Sequence, residues 1–216
     1  MTPLPRSALC VLALGLIAGY VDAVGYVELH GIFTAAMTGN STTFGIALAD
    51  GDRVRTVAVG TVLALFFCGA LGASLLRRVL PAYRHEWLWM AGLLIVAQSV
   101  HWSHAAGSSS RVETLLLAVA MAMQGEALSR FSGVSVQTIV VTNNIVKFAD
   151  NIAGFLYTIW RKNPEFTLVS TLPGLGWVGC IAGAFLSVFA REVSSGFFLA
   201  PVPLLVGLFF LWPDEG

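Results

Sequence analysis

Charge is scarce in this 216-residue chain. Asp, Glu, Lys and Arg together make up 11% of it, against about 25% in a soluble domain. Hydrophobic residues make up 56% and the mean hydropathy is +0.79. Such a composition leaves too little polar surface for a water-soluble globule and puts the chain in a lipid bilayer. What charge there is balances, with 12 basic and 12 acidic residues, so there is no basic field to suggest a nucleic-acid partner. Cysteine is rare too: Cys10, Cys68 and Cys180 sit singly in apolar segments and read as small buried hydrophobes, not as a disulfide framework or metal ligands. Motifs of soluble enzymes are missing: there is no nucleotide-binding glycine loop, no HExxH and no Gly-x-Ser-x-Gly elbow. His101 and His104 lack an obvious third ligand. No metal, no cofactor and no catalytic residue is therefore expected.

Long apolar runs, by contrast, are plentiful. A spanning helix needs about 20 mostly apolar residues, and six stretches qualify: 8–28, 56–76, 87–102, 112–131, 168–190 and 195–212. The first continues into Asp22 without a small-residue cleavage site, so it reads as a span and not as a signal peptide. Two further stretches, 33–49 and 134–152, have helical length but are rich in Thr, Ser, Asn and Gly. The expected fold is an all-α integral membrane protein with six full transmembrane helices plus two polar, broken or re-entrant segments; the alternative is eight spans. Arginine placement favours the first. With both polar segments returning to their own side, Arg6, Arg77, Arg78, Arg84, Arg130, Arg161 and Lys162 share one side of the membrane, against Arg53, Arg55, Arg111 and Arg191 on the other. With eight spans the same residues divide almost evenly.

A polar pattern occurs twice. At one constant offset Asp22 falls on Glu126, Ala23 on Ala127, Thr34 on Thr138, Thr38 on Thr142, Asn40 on Asn144 and Phe44 on Phe148. Cys68-Gly69-Ala70 and Ala182-Gly183-Ala184 hold corresponding places further on. The chain thus reads as one membrane domain, residues 1–216, made of two internal repeats at about 8–102 and 112–212. An odd number of crossings per repeat would invert the second copy relative to the first, a plan common among transporters.

The residues that could carry function lie in that pattern. Gly15, Gly19, Asp22 and Tyr26 share one helix face, and Gly15-x-x-x-Gly19 is a close-packing motif that turns this face toward protein. An ionised Asp in a bilayer costs about 3 kcal/mol on insertion scales; Asp22 is either a coupling charge or an anchor for the following segment. Glu126 is its counterpart, with Arg130 one turn on, and Gln124 beside it faces the site or a neighbouring helix. Thr38-Gly39-Asn40-Ser41-Thr42 looks like a helix break, with a new N-terminus near Thr42 offering N–H groups to an anion or polar solute. The alternative is a packing helix whose hydroxyls bond back to its own carbonyls. In the second copy Thr138, Thr142 and Asn144 take the equivalent places, joined by Lys147, which either neutralises a carboxylate or pairs with Asp150. Substrate binding is expected at Thr38, Gly39, Asn40, Thr42, Thr138, Thr142 and Asn144, and coupling charge at Asp22, Glu126 and Lys147. The implied function is a small secondary transporter or channel for a polar or anionic solute. A non-transporting scaffold comes second, and an intramembrane enzyme using Asp22 and Glu126 as acid and base third. Gly179-x-x-x-Gly183 offers a small-residue face for a homodimer.

Gly19-Tyr20-Val21-Asp22-Ala23, Phe33 and Met37-Thr38-Gly39-Asn40 resemble the signature of the bacterial YoaK-like membrane family. The resemblance covers essentially the whole chain. The second half departs from the pattern: Met123-Gln124-Gly125-Glu126-Ala127 stands where that family commonly has MQNA, and Thr142-Asn143-Asn144 where a Thr-Gly pair is usual. The resemblance implies a multi-pass protein of the bacterial inner membrane and supplies no biochemical activity.

Overall fold

The structure is a computed structural model, and it describes residues 3–79, 84–103, 110–128, 141–161 and 168–211. Its described elements are eight α-helices: α1 (Pro3–Glu28), α2 (Met37–Ala49), α3 (Arg53–Val79), α4 (Arg84–Ser103), α5 (Ser110–Leu128), α6 (Val141–Trp160), α7 (Leu172–Val193) and α8 (Val202–Leu211). Short 3-10 turns at Leu168–Thr171 and Phe197–Leu199 lead into α7 and α8. Among the described residues three helical stretches are long and apolar enough to cross a membrane by length and composition: Arg6–Glu28, Arg53–Leu76 and Val169–Val193.

The packing begins with α1, which lies along α7 with their backbones in direct contact. A Cβ on Gly19 would overlap the Cys180 carbonyl oxygen, and one on Gly183 would overlap the Leu16 carbonyl. Gly15 faces Gly176 and Gly179 faces Leu12 in the same way. Glycine is required at this contact because no other residue lets two helices approach so closely. The glycine face of α1 therefore meets protein, as its spacing indicates. Gly179 and Gly183, expected to face a second copy, are taken up inside the molecule by α1. On the other side of the bundle α3 packs on α5, with Gly69 against Val119 and Ala122, and α5 also packs on α4. The largest buried cluster joins Leu14, Ile17 and Val24 of α1 to Trp87, Met90 and Leu94 of α4, Leu117 and Met121 of α5, and Leu205 of α8. Gln124 donates to the Leu14 carbonyl at 2.8 Å, tying α5 to α1. Of the cysteines, Cys10 is buried and Cys180 partly so, while Cys68 is exposed on the outer face of α3, contrary to the expectation of burial.

The first polar segment differs from expectation. Its helix begins at Met37 and runs unbroken through Thr38, Gly39, Asn40 and Thr42 to Ala49; the break lies earlier, at residues 29–36. There α1 ends on a left-handed pair, His30 (φ 51°) and Gly31 (φ 91°), with the Gly31 N–H donating to the Tyr26 carbonyl five residues back. A similar stop ends α2: Gly51 adopts φ 70° and the Asp52 N–H reaches the Ala47 carbonyl. Asp52 then starts α3, its carboxylate accepting from the Arg55 N–H at 3.0 Å. The end of α1 and the start of α3 lie together, since Gly31 sits beside the Arg55 guanidinium and Leu29 and Ile32 share a groove with Arg53, Val54 and Val57. The segment between them, α2 included, enters and leaves at one end of the bundle.

Of the second polar segment, residues 134–140 lie outside the described residues, and the rest extends further than expected. α6 runs to Trp160, well past the expected limit at residue 152. Its middle meets the start of α7 in antiparallel sense, with Phe148 against Gly174 and the Asn151 amide donating to the Ser170 carbonyl at 2.9 Å. The Arg191 end of α7 is the end that meets Glu28 of α1, so α6 leaves the bundle at the end opposite to α2. The last expected span, 195–212, is divided by the 3-10 turn at Phe197–Leu199, and α8 has 10 residues, a length of about 15 Å. Pro201 and Pro203, which lack N–H donors, confine the helix start to this point.

Candidate functional site

The polar centre of the first half is a knot of backbone held by two side chains. Asp22 stands on the inner face of α1, about two turns from its end. Its Oδ1 accepts from the N–H of Thr34 at 2.8 Å, of Ala35 at 2.7 Å and of Ala36 at 3.3 Å, and from the Thr34 hydroxyl at 3.4 Å. Consecutive N–H groups converging on one oxygen form an anion nest. They immediately precede α2, whose N-cap, Ala36, makes no side-chain capping bond; the carboxylate reaches only to the Ala36 N–H and fixes the loop that leads into the helix. Of the two readings for Asp22, the anchoring one is what this geometry displays. Its Oδ2 takes no hydrogen bond among the described residues, and the side chain is only half-buried.

Asn40 grips the same loop from the other side. Its Oδ1 accepts from the Phe33 N–H at 3.0 Å and its Nδ2 donates to the Phe33 carbonyl at 2.7 Å. The residue is 1% exposed, so an amide matched to both backbone groups of Phe33 satisfies polar groups that would otherwise be costly at this depth. Gly39 lies under the Phe33 ring, where a Cβ would be 3.3 Å from two ring carbons. Thr34 is fully buried, its hydroxyl donating to the Val21 carbonyl at 3.2 Å. Among the described residues the side-chain hydrogen bonds of Asp22 and Asn40 all stay within residues 22–40.

The remaining expected residues are distributed differently. Thr38 and Thr42 are exposed on α2; the Thr42 hydroxyl donates back to the Thr38 carbonyl at 3.1 Å and that of Ser41 to Met37 at 2.8 Å. This is the back-bonding alternative drawn from the sequence. In the second half Thr142 is exposed on the first turn of α6, Asn144 is fully buried and Lys147 is half-buried. Glu126 belongs to α5, but its side chain lies outside the described residues, as do Thr138, Arg130 and His104.

A second polar cluster, unforeseen from the sequence, closes the end of the bundle where α1 finishes. Gln98 of α4 donates to the Ser195 carbonyl at 2.8 Å and accepts from the Phe198 N–H at 3.0 Å. The Tyr20 hydroxyl donates to the Phe197 carbonyl at 2.7 Å, and His101 stands 3.3 Å from the buried Glu113 carboxylate, edge-on to Phe197 and Phe198. Glu28 and Arg191 complete it with a pair at 2.7 Å. These bonds fasten residues 194–200, whose polar backbone cannot be left bare in a bilayer. The only advance signal was the coincidence of Gln98, His101 and Glu113 with helix ends.

Long apolar helices packed through glycine, with the irregular stretches at residues 29–36 and 194–200 held by polar side chains, define a multi-pass transmembrane protein. The chain belongs to the family described as "Protein of unknown function (DUF1275)", whose pattern matches residues 10–211. It is similar to the UPF0700 transmembrane protein YoaK of Bacillus subtilis (strain 168), 24% identical over 199 residues that cover 89% of this chain and 88% of that one. It is also similar to the UPF0700 transmembrane protein RA0705 of Rhizobium meliloti (strain 1021), 24% identical over 184 residues covering 84% of this chain and 75% of that one. No solved structure matches it.

Proposed function

We propose that this protein is a small secondary transporter or channel for a polar or anionic solute, built from two inverted repeats whose re-entrant helices, α2 and α6, approach from opposite ends of the bundle. One observation carries the reading: the two polar helices pack alike and leave by opposite ends. Phe44 of α2 rests on Gly60 of α3 as its counterpart Phe148 of α6 rests on Gly174 of α7. Gly69 of α3 meets α5 as Gly183 of α7 meets α1. Buried Asn40 and Asn144 hold matching places near the starts of the two helices. Inverted repeats with discontinuous helices are a recurrent transporter plan.

In this reading Asn40 shapes the turn, and the exposed hydroxyls of Thr38, Thr42 and Thr142 meet the solute. Asp22 couples charge to movement. One oxygen holds the loop before α2 and the other is left for a proton or cation, so loading the second weakens the grip of the first. A non-transporting scaffold is favoured by a different fact, that the side-chain hydrogen bonds of Asp22 and Asn40 among the described residues all fall within residues 22–40.

The test is cysteine accessibility in a chain with Cys10, Cys68 and Cys180 replaced. Single cysteines at Thr38 and Thr142 are expected to react with a small membrane-impermeant thiol reagent applied from opposite sides, and candidate solutes to slow the reaction. A lipid-facing or packed position does not react with such a reagent. Silence at both positions, with a cysteine at Asp52 reacting normally, would leave the scaffold.

A further inference from the structure

Beside the junction of α1, α2 and α3 runs an apolar groove of about 530 Å³. Leu29 and Ile32 line it from the turn after α1, Val57 and Val62 from α3, and Leu115 from α5. Arg53, the first residue of α3, is part of its wall. Two residues on, the Arg55 guanidinium lies beside Gly31. Both arginines are exposed, and among the described residues neither is in a salt bridge. The nearby carboxylate of Asp52 is occupied in capping α3 through the Arg55 N–H; Asp50 stands exposed at the end of α2.

The surroundings decide what such a groove takes. Val54 and Val57 are 78% and 68% exposed, and in a bilayer these surfaces meet acyl chains. Two unpaired guanidiniums sit where α3 begins, at the level of the turns joining α1 to α2 and α2 to α3. An apolar channel with cations at one end matches a molecule with a hydrocarbon tail and an anionic head. Arginine in particular grips phosphate through paired N–H donors. We propose that this groove is a binding site for one anionic phospholipid, with an acyl chain along Val57 and Val62 and the phosphate held by Arg53 and Arg55. The lipid would fill the gap between the turn at Leu29–Ile32 and α3, and so brace the loop that Asp22 and Asn40 hold from the other side. This site does not depend on the transport reading.

The experiment uses the full chain purified in mild detergent and native mass spectrometry, with phosphatidylglycerol and phosphatidylcholine of identical acyl chains as probes. A basic residue near the membrane surface contributes about 1 kcal/mol toward an anionic lipid, so two are expected to give at least about a tenfold preference for phosphatidylglycerol. The paired variant R53Q/R55Q is expected to abolish the preference. V57W, which fills the channel without touching charge, is expected to reduce retention of both lipids. Equal retention of the two lipids by the unaltered protein overturns the proposal without recourse to any variant. So does full retention of phosphatidylglycerol by V57W, which would mean that the lipid sits elsewhere on the surface.

Discussion

Asp22 and Asn40 hold the same short stretch of backbone from two directions, and the two grips differ in kind. Asp22 offers a charge to three N–H groups; Asn40 offers a donor and an acceptor to the two backbone groups of one residue, Phe33. Hydrogen bonds to a charged group contribute about 1.5–3 kcal/mol, so Asp22→Ala is expected to cost about 2–3 kcal/mol. Asp22→Asn, which keeps a neutral acceptor, is expected to cost about half as much. Thermal unfolding in detergent measures both, and equal midpoints for D22A and the unaltered protein would refute the anchoring role. Asn40→Asp tests the second grip by its pH dependence. Only the protonated acid donates to the Phe33 carbonyl while accepting from the Phe33 N–H, so folding favours the protonated form. The variant's stability is expected to be highest at low pH and to fall as pH rises through that ionisation. A flat profile between acid and neutral pH would mean that the amide is not gripping Phe33. That Asp22 is special was legible in the sequence, because a charge stood alone in an apolar run. That its partner is a row of N–H groups was not, since backbone donors leave no mark on residue identity. The Phe33 partner of Asn40 was hidden for the same reason.

Among the helices the sequence was most legible where pattern and packing coincide. α1, α3 and α7 carry long apolar runs, and the glycines of α1 and α7 announce close contacts, although those of α7 are expected from their spacing to meet a second copy and in the structure meet α1. Legibility fell where local chemistry overrides hydropathy. Gly39, Asn40 and Ser41 are turn and cap formers and point to a break at Thr38–Thr42, yet Asp22 fixes the backbone at Thr34–Ala36 and the helix starts at Met37. The last apolar run reads as a span until Pro201 and Pro203 are given their weight. The glycine contact makes a sharp prediction. Gly19→Ala and Gly183→Ala would each drive a methyl into an opposing carbonyl and force α1 from α7, and overpacking of this kind costs about 1–3 kcal/mol or more. Gly72→Ala and Gly154→Ala place the methyl in open space and are expected to be neutral or to stabilise by up to about 1 kcal/mol. Yield of monodisperse protein and the unfolding midpoint in detergent separate the pairs; tolerance of all four alanines would mean that α1 and α7 are not in backbone contact.

At the scale of the whole molecule, the position of α2 divides two topologies. If α2 returns to the end where it entered, residues 30 and 52 share one side of the membrane; if it crosses, they lie on opposite sides. Single cysteines at His30 and Asp52, both exposed, are expected to be labelled from the same side, and one at Arg161 from the other. Labelling of His30 and Asp52 from opposite sides would establish the eight-span alternative. The doubled polar pattern aligns Phe44 with Phe148 and Asn40 with Asn144 along the sequence. It could not give the spatial arrangement, because α1 of one half packs on α7 of the other, a pairing that no local periodicity records.

That pairing also sets a timetable for biosynthesis. The chain is made from its N-terminus, and Gly183 follows Gly19 by some 160 residues. At ~5–20 residues per second, α1 waits about 8–30 s in the membrane before α7 is translated. During the wait its glycine stripe faces lipid or the insertion machinery, while the Asp22 nest can form at once from residues only twelve to fourteen positions later. α1 is thus inserted well before α7 can close over it. Nascent chains halted after Trp160 are expected to stay sensitive to membrane-bound quality-control proteases, with resistance appearing only once residue 193 has left the ribosome and entered the bilayer. A halted-translation series read out by protein half-life would place that step.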